Sequence, residues 1–321
     1  MAPTGGTDGS MRAAMRRRID SGTVVVVLGA SSGIGRAAAH AFARHAARLV
    51  LCARTPASLE AAADECRSLG AADVLIFPLD VVDEDAVADM LASVERRLGR
   101  VDVWVAASSL YSLGTVESTP SEVTRRILEV NLIAQMEAAR AAIPYLRRSR
   151  GAMILLGSVF SEVPAPFVGA YAASKHGIAG FAKVLRLELR GEVDVCLLLP
   201  ATIDTPIHQH AANATGRAIR PLPPLVPAER VASAIVELAI RPRRRRVVGW
   251  TQGAAVYLRP LCPGLVDAFM SAYMRHVGVR RMAASPSEGN LFHVDPGSNA
   301  VSGGWRRSRA REEKRTARQA H

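Results

Sequence analysis

The sequence predicts an α/β fold in which a doubly wound parallel sheet is covered by helices on both faces. Short apolar runs of strand length alternate with helical segments from residue 22 to residue 250. The runs are apolar at consecutive positions, as in TVVVVL at 23–28, which is typical of parallel strands buried on both faces. Parallel strands need long crossover connections, and the helical segments between the runs supply them.

The predicted elements follow one another without an internal repeat. The predicted strands are TVVVVL (23–28), RLVLCA (48–53), DVLIFPLD (73–80), VDVWVA (101–106), AMILLG (152–157), VDVCLLLP (193–200) and RVVGW (246–250). The predicted helices are an Ala-rich helix after residue 35, segments 57–69, 84–98, 121–146 and 168–190, and an amphipathic helix that ends at Ile240.

This alternation places a single domain at residues 22–250, with other kinds of segment on either side. Residues 1–21 are predicted to be a disordered N-terminal tail, and residues 283–321 a mostly disordered basic tail. Residues 251–282 are predicted to form a short amphipathic helical appendage. Its polar stripe (Asp267, Ser271, Arg275) leaves an apolar surface, which we expect to cover the substrate cleft, a partner subunit or a membrane surface. The residues of this apolar surface are Leu265, Phe269, Met270, Tyr273 and Met274.

Composition and charge are those of a soluble globular protein, with 49% hydrophobic and 22% charged residues. The net charge of +12 lies outside the predicted domain core, because residues 22–240 carry 19 Arg and two Lys against 22 acidic residues. The basic excess sits in the tails, and the arginine run at 241–246 has no interleaved aromatic residues, so we expect no nucleic-acid partner. Two prolines and two charges interrupt the apolar run of the appendage, which excludes a spanning helix; peripheral membrane contact is possible but disfavoured.

Cysteine and histidine spacing predicts neither disulfides nor a metal site. The four cysteines (Cys52, Cys66, Cys196, Cys262) are widely separated, which favours reduced thiols and a cytoplasmic location. No apolar targeting segment precedes Val24, so no secretion signal is expected. His208 and His210 have no third ligand close by in the sequence, so we predict no metal site.

A glycine-rich turn joins the first predicted strand to the first predicted helix. The turn reads Gly29-Ala30-Ser31-Ser32-Gly33-Ile34-Gly35. Glycines allow a tight turn and a close backbone approach, and the free N–H groups of a helix N-terminus favour a pyrophosphate. Between a strand and a helix, this turn predicts a dinucleotide site.

A Ser, a Tyr and a Lys follow at a spacing that suggests proton-transfer chemistry. Ser158 closes the fifth predicted strand, and Tyr171 and Lys175 lie one helical turn apart on the next helix. A free tyrosine titrates near pH ~10, and a neighbouring ammonium lowers that pKa towards neutrality. We therefore expect Lys175 to lower the pKa of Tyr171.

Six segments in order resemble the short-chain dehydrogenase/reductase family over residues 22–250. They are GASSGIG at 29–35, Asp80-Val81, Asn131 in EVNL, Ser158, YAASK at 171–175 and PATIDT at 200–205. The resemblance implies a Rossmann-like fold and an NAD(P)-dependent oxidoreductase that acts on CH–OH or C=O groups.

The resemblance also implies a role for each matching residue. Tyr171 would be the general acid/base, Lys175 would hold the nicotinamide ribose, Ser158 would bind the carbonyl, and Asn131 would kink its helix and hold a relay water. The implied cofactor-binding residues are Gly29, Ser31, Ser32, Gly33, Ile34, Gly35, Arg36, Arg54, Asp80, Val81, Tyr171, Lys175, Pro200, Ile203 and Thr205.

The end of the second predicted strand favours NADP over NAD. NAD-using relatives tend to place a carboxylate there for the adenosine ribose, whereas this chain has Ala53 followed by Arg54. A guanidinium can hold a 2′-phosphate, and Arg36 lies just after the glycine-rich turn. NADP is therefore the expected cofactor.

The sequence departs from the family pattern in the loop after the fourth predicted strand, where Ala106-Ala107-Ser108-Ser109 replaces Asn-Asn-Ala-Gly. Leu28 and Ala201 also replace a usual Thr and Gly.

The leading hypothesis is an oxidoreductase for a ketone or secondary alcohol. The alternative is a catalytically weak NADP-binding regulatory or scaffold protein. The expected partners are a small carbonyl or alcohol substrate and further copies of the chain, as a homodimer or homotetramer paired through the helices at 121–146 and 168–190.

Overall fold

Strands and helices alternate along the chain in the structure, a computed structural model that describes residues 17–294 and 299–308. The strands are β1 (Val24–Leu28), β2 (Arg48–Ala53), β3 (Asp73–Pro78), β4 (Val103–Ala106), β5 (Ser112–Leu113), β6 (Ala152–Leu156), β7 (Asp194–Pro200), β8 (Ile203–Asp204), β9 (Ala212–Asn213), β10 (Arg217–Ile219), β11 (Val226–Pro227), β12 (Arg245–Val248) and β13 (Val279–Ala283). The helices are α1 (Gly33–Ala43), α2 (Pro56–Ser68), α3 (Glu84–Leu98), α4 (Ser121–Leu128), α5 (Ala134–Ser149), α6 (Gly169–Glu188), α7 (Ala228–Ile240), α8 (Trp250–Leu258) and α9 (Pro263–Tyr273).

The central sheet has seven strands in the order β12-β7-β6-β4-β1-β2-β3, and its neighbouring strands pair in parallel. These are the seven strands that the sequence predicts, so the doubly wound α/β fold is confirmed. The chain leaves β1 towards β2 on one side and returns to β4 on the other. In such sheets the crevice at this reversal, beside the carboxyl ends of the strands, is where ligands bind.

Burial explains why the strands carry consecutive apolar residues. All five residues of β1 are fully buried, because helices cover the sheet on both faces. One face packs the Ala-rich helices α1 and α7, whose small side chains allow the helix backbones to come close to the strands. The other face packs α3, α5 and α6, and it contains the fully buried Trp104.

The helix predicted over 121–146 is interrupted by a π-helical turn at Glu129–Ile133, which separates α4 from α5. The turn contains Asn131, so the structure shows a local change of helix geometry at the residue expected to kink its helix. A second π-helical turn at Met274–Gly278 follows α9.

Both ends of the chain contact the domain where the structure describes them. Arg17 donates to the carbonyl oxygens of Arg150 and Gly151 and pairs with Asp194. Most of the tail predicted to be disordered, residues 1–16 of 1–21, lies outside the described residues. Residues 283–294 and 299–308 lie against the domain rather than apart from it, whereas residues 309–321 lie outside the described part.

The appendage forms α8, α9 and β13. Met270 and Met274 are buried, whereas Leu265 and Phe269 on the same segment are exposed. Residues 17–294 and 299–308 therefore cover only part of the predicted apolar surface. No helix within residues 17–294 and 299–308 is long and apolar enough to cross a bilayer.

Candidate active site

Ser158, Tyr171 and Lys175 meet in one cleft at the carboxyl end of β6. Ser158 follows β6 directly, and its Oγ accepts a hydrogen bond from the Phe160 N–H at 3.2 Å while its own N–H donates to Ser161 Oγ at 3.0 Å. These bonds form a reciprocal cap that holds the serine at the start of a short 3₁₀ turn. The Ser158 side chain also acts on Tyr171 as a hydrogen-bonding group that favours the phenolate.

Helix α6 presents Tyr171 and Lys175 to this cleft from successive turns. The Lys175 ammonium donates to the backbone carbonyl of Leu156 at 3.0 Å, which ties α6 to the end of β6. Its Nζ lies 5.6 Å from the centroid of the Tyr171 ring. Both side chains are buried, so water is largely excluded from the pair.

The expected lowering of the Tyr171 pKa is not what the structure shows. Burial raises the pKa of Tyr171 to about 12, because the phenolate loses its hydration, and the hydrogen bond with Ser158 acts only partly against this effect. Burial also lowers the pKa of Lys175 to about 8. Tyr171 is therefore protonated at neutral pH, in the form that can donate a proton.

Asn131 positions the loop on the far side of the cleft. Its Oδ1 accepts from the Leu110 N–H at 2.7 Å, and its Nδ2 donates to the Leu110 carbonyl at 2.9 Å and to Ser174 Oγ at 3.3 Å. Ser174 in turn donates to the Tyr171 carbonyl at 2.7 Å. The fully buried amide thus links the loop after β4 to the helix that carries Tyr171.

The altered loop at residues 106–109 keeps its place beside the glycine-rich turn. Ala107 N–H donates to the Leu28 carbonyl at 3.1 Å, and Ser108 lies so close to Gly29 that a Cβ on Gly29 would be 2.8 Å from its nitrogen. Gly29 also has a φ of 78°, in the left-handed region that favours glycine. The substitutions therefore leave the backbone of this loop packed on the turn.

The turn itself has the close packing that a dinucleotide site needs. A Cβ on Gly35 would lie 2.1 Å from the Gly29 carbonyl oxygen, so only glycine fits at this position. Helix α1 begins at Gly33, so the N–H groups of its first turn have no acceptor within the helix. The turn residues Gly29, Ser31, Ser32, Gly33, Ile34 and Gly35 all line the same cavity as Tyr171 and Lys175.

The two arginines expected at a 2′-phosphate have different surroundings. Arg54 is partly buried and lines the cavity, and it makes no ion pair with a carboxylate of the described residues; its Nη2 donates to the Asn290 carbonyl at 3.3 Å. Arg36 is buried and pairs with Glu65 at 2.8 Å, and it is not among the described residues that line the cavity. The expected phosphate contact therefore fits Arg54, whereas the guanidinium of Arg36 is already neutralised.

The remaining predicted cofactor residues also come together at this cavity. Asp80 and Val81 follow β3, and Asp80 is paired with Arg126 at 3.0 Å. The other three residues, Pro200, Ile203 and Thr205, line the cavity from the end of β7, from β8 and from the position after β8. Sequence reasoning missed Arg126, and its sequence context of an ordinary amphipathic helix contained no signal for the pairing.

Tyr171 is surrounded by apolar and aromatic residues of the cavity. The Tyr111 ring lies edge-on to Tyr171 with centroids 4.7 Å apart, and His208 lies edge-on to Tyr111 at 5.6 Å. Burial lowers the pKa of His208 to about 4, so this ring is neutral at physiological pH. The apolar side chains that line the cavity here are those of Leu113, Phe160, Ile207, Ile219, Leu222, Met270 and Met274, and Arg220 and His210 line the same cavity. Sequence reasoning missed Tyr111, since only the folded loop brings it to Tyr171.

Histidines and cysteines form no metal centre in the part of the chain that the structure describes. Cys52, Cys66 and Cys196 are buried free thiols, and Cys262 is an exposed one. Burial raises the pKa of Cys66 to about 12, which keeps this thiol protonated.

The parallel sheet, the glycine-rich turn at its reversal point and the buried Ser-Tyr-Lys group together define an NAD(P)-dependent oxidoreductase. The sequence profile described as short chain dehydrogenase matches residues 23–215. The chain belongs to the short-chain dehydrogenase/reductase family.

Similar proteins agree with this assignment. A Bacillus subtilis protein named uncharacterized oxidoreductase YxnA is 30% identical over 307 residues, covering 92% of this chain and 85% of the relative. The 11-beta-hydroxysteroid dehydrogenase A of Sesamum indicum is 34% identical over 235 residues, covering 70% and 67% of the two chains. Among solved structures, an alcohol dehydrogenase from the archaeon Thermococcus sibiricus, complexed with 5-hydroxy-NADP, has a TM-score of 0.63 and 27% identity, covering 70% of this chain and 95% of that one.

Proposed function

We propose that the protein is an NADPH-dependent reductase of bulky apolar ketones, or the corresponding dehydrogenase of secondary alcohols, with Tyr171 as the general acid/base. The observation that carries this proposal is the shared cavity, which joins the glycine-rich turn to the buried Ser158, Tyr171 and Lys175. The bound cofactor would supply the hydride, and the residues of this chain would bind, orient and protonate the substrate.

The protonation state of Tyr171 supports the reductive direction. With its pKa raised to about 12, Tyr171 carries its proton at neutral pH and can donate it to the oxygen of a carbonyl. The Ser158 hydroxyl is joined to the same tyrosine and would hold that oxygen by a second hydrogen bond. Lys175, held on the Leu156 carbonyl, would help to return a proton to Tyr171 after each turnover.

The surroundings of Arg54 support NADP as the preferred cofactor. Its guanidinium is partly buried, and burial lowers its pKa, which means that its charge lacks a close anionic partner. Asp80, the nearest carboxylate that acts on it, is hydrogen-bonded to Arg126 instead. A 2′-phosphate beside Arg54 would supply that missing anion. The Thermococcus structure is a complex with 5-hydroxy-NADP.

The apolar side chains of the cavity around Tyr171 support a bulky apolar substrate. Tyr111, Phe160 and Met270 are aromatic or aliphatic, and the neutral His208 adds no charge. Apolar surface of this kind favours ligands by burying their carbon atoms, at about 25 cal/mol for each Å² removed from water. The named relative from Sesamum indicum is a hydroxysteroid dehydrogenase, and a steroid-like ketone has the corresponding size and polarity.

The test of the proposed reaction is the Tyr171→Phe variant, with Tyr111→Phe as its matched control. Loss of the Tyr171 hydroxyl should lower kcat for ketone reduction by about 10²–10⁴-fold, which is the usual contribution of a general acid, while NADPH binding persists. Tyr111 has the same side chain in van der Waals contact with Tyr171, and its replacement should change kcat far less. Comparable activity in wild type and Tyr171→Phe would remove the mechanism.

The cofactor preference is tested by Arg54→Asp. The variant should bind NADPH less tightly and NADH relatively more tightly, because a carboxylate repels the 2′-phosphate. Equal affinity of the wild-type protein for NADPH and NADH, measured by fluorescence titration, would contradict the NADP assignment.

A homodimer or homotetramer is the proposed assembly. The helices α5 and α6 expose apolar residues to solvent, among them Met136, Val184 and Leu187, of which Leu187 is 79% exposed. Pairing of these helices between copies would bury them. Light scattering that reports a monomer at micromolar concentration would refute this proposal.

A further inference from the structure

The end of the described chain lies across the glycine-rich turn. We call residues 299–308 the C-terminal strap. Its Ala300 carbonyl accepts a hydrogen bond from the Gly33 N–H at 2.9 Å, and its Asn299 carbonyl accepts from Arg36 Nη1 at 2.6 Å. The Asn299 side chain also donates to Ser58 Oγ at 2.8 Å. The strap thus places carbonyl oxygens on donors of the turn and of α1, and it donates one hydrogen bond to α2.

A second set of contacts fixes the strap on the other side of the turn. The buried carboxylate of Asp204 accepts from Ser302 Oγ and from the Trp305 N–H, both at 3.0 Å. Gln209 Nε2 donates to the Gly303 carbonyl at 2.7 Å. The strap is therefore held from two directions, and it passes directly over the start of α1.

Gly303 packs closely against the domain backbone at Thr205. A Cβ on Gly303 would lie 2.5 Å from the Thr205 carbonyl oxygen and 2.8 Å from the Thr205 carbonyl carbon. Both of these atoms belong to the backbone, so neither can rotate away from a larger residue. The docked strap consequently requires glycine at this position.

The Gly33 N–H cannot serve two acceptors at full strength. On the proposed function, the N–H groups at the start of α1 bind the phosphates of the cofactor. In the structure, the first of them is occupied by a carbonyl oxygen of the same chain. The carbonyl of Asn290, upstream of the strap, accepts a hydrogen bond from Arg54. Arg54 is the residue that the proposed function assigns to the 2′-phosphate.

The docked strap is also held imperfectly. The indole Nε1–H of Trp305 is buried without a hydrogen-bond partner among the described residues, and a buried unpaired donor destabilises the arrangement that contains it. Its ring lies edge-on to the ring of His208, with the centroids 6.5 Å apart, and His208 lines the cavity. Release of the strap would allow this donor to reach water.

We propose that the C-terminal strap is an internal competitor of the cofactor: it occupies the phosphate-binding turn in the free protein and must leave when the dinucleotide binds. This inference rests on the proposed function, since it assumes that the turn holds the cofactor phosphates. The apparent affinity for cofactor then equals the intrinsic affinity multiplied by the fraction of molecules with the strap released.

The experiment compares the full-length wild type with Gly303→Val, which cannot dock the strap without displacing Thr205. Gly264→Val is the matched control, because Gly264 is exposed and a Cβ there would meet nothing within 4 Å. Calorimetry measures the dissociation constants of NADP⁺ and of adenosine 2′,5′-bisphosphate, a probe without nicotinamide. Gly303→Val should bind both about tenfold more tightly than wild type, and Gly264→Val should match wild type.

Ser302→Ala provides a milder second variant, should Gly303→Val fold poorly. It removes one hydrogen bond to Asp204 from an exposed residue and should tighten binding of both ligands in the same direction by a smaller factor. A readout independent of affinity is acrylamide quenching of Trp305, obtained as the difference between the full-length protein and Trp305→Phe. Saturating NADP⁺ should increase this quenching, because the strap is released.

The outcomes separate the strap from the proposed function. Equal or weaker binding by both Gly303→Val and Ser302→Ala would overturn the competition, as would a Trp305 that stays protected at saturating NADP⁺. In those cases dinucleotide binding itself still supports the oxidoreductase assignment. Failure of wild type and of every variant to bind NADP⁺ or NAD⁺ would overturn the proposed cofactor site, and the competition with it.

Discussion

Replacing Asn131 by alanine should destabilise the fold by about 2–4 kcal/mol, because two buried backbone groups lose their partners. Asn131 is fully buried, and its amide satisfies both the N–H and the carbonyl of Leu110 at 2.7 and 2.9 Å. An unpaired buried donor or acceptor costs about 1–3 kcal/mol, and partial relaxation of the loop keeps the sum in the lower half of the range for two groups. The third bond, to Ser174, also connects Asn131 to the helix of Tyr171, so kcat should fall as well.

Urea unfolding followed by circular dichroism measures this loss, and Gln135→Ala is its matched control. Gln135 is a buried amide four residues further along, but its Nε2 makes one hydrogen bond, to the Val130 carbonyl, and its Oε1 has no partner within the described residues. The control should therefore lose only about 1 kcal/mol or less. Equal losses in the two variants would refute the argument that Asn131 acts by satisfying Leu110.

Two further predictions concern the lysine and the appendage. Because burial lowers the pKa of Lys175 from 10.5 to about 8, its charged form destabilises the folded state below about pH 8, and this penalty disappears as the pH rises through 10.5. The free energy of unfolding of Lys175→Met should accordingly exceed that of wild type at neutral pH and become equal to it in alkali. Lys183→Met, on the exposed face of α6, is the control and should have the free energy of unfolding of wild type at every pH. A difference between Lys175→Met and wild type that does not change with pH would contradict the burial argument. Met270→Ala should raise KM for a bulky ketone, because Met270 is buried and lines the cavity. Phe269, by contrast, is 61% exposed, so Phe269→Ala should leave KM unchanged. Equal effects of the two substitutions on KM would exclude the appendage as a cover of the cleft.

The sequence alone determined the fold class and most of the site, because both depend on local order along the chain. Strand runs such as Val24–Leu28 are apolar at every position, and this pattern predicts a strand buried on both faces wherever the sheet lies. The spacing of Tyr171 and Lys175 places them on one helix face without reference to the rest of the molecule. Residues that follow different strands then meet because parallel strands bring their carboxyl ends to one edge of the sheet.

Only the tertiary structure decided properties that depend on distant neighbours. The pKa of Tyr171 rises rather than falls because burial outweighs the hydrogen-bonding effect of Ser158, and the Lys175 Nζ is directed to the Leu156 carbonyl. Arg36 is neutralised by Glu65, which lies 29 positions away in the sequence. The C-terminal strap, which composition predicts to be mostly disordered, reaches Gly33 from residue 300. Desolvation, ion pairing and docking are set by what surrounds a group in space, and residue order does not encode those surroundings locally.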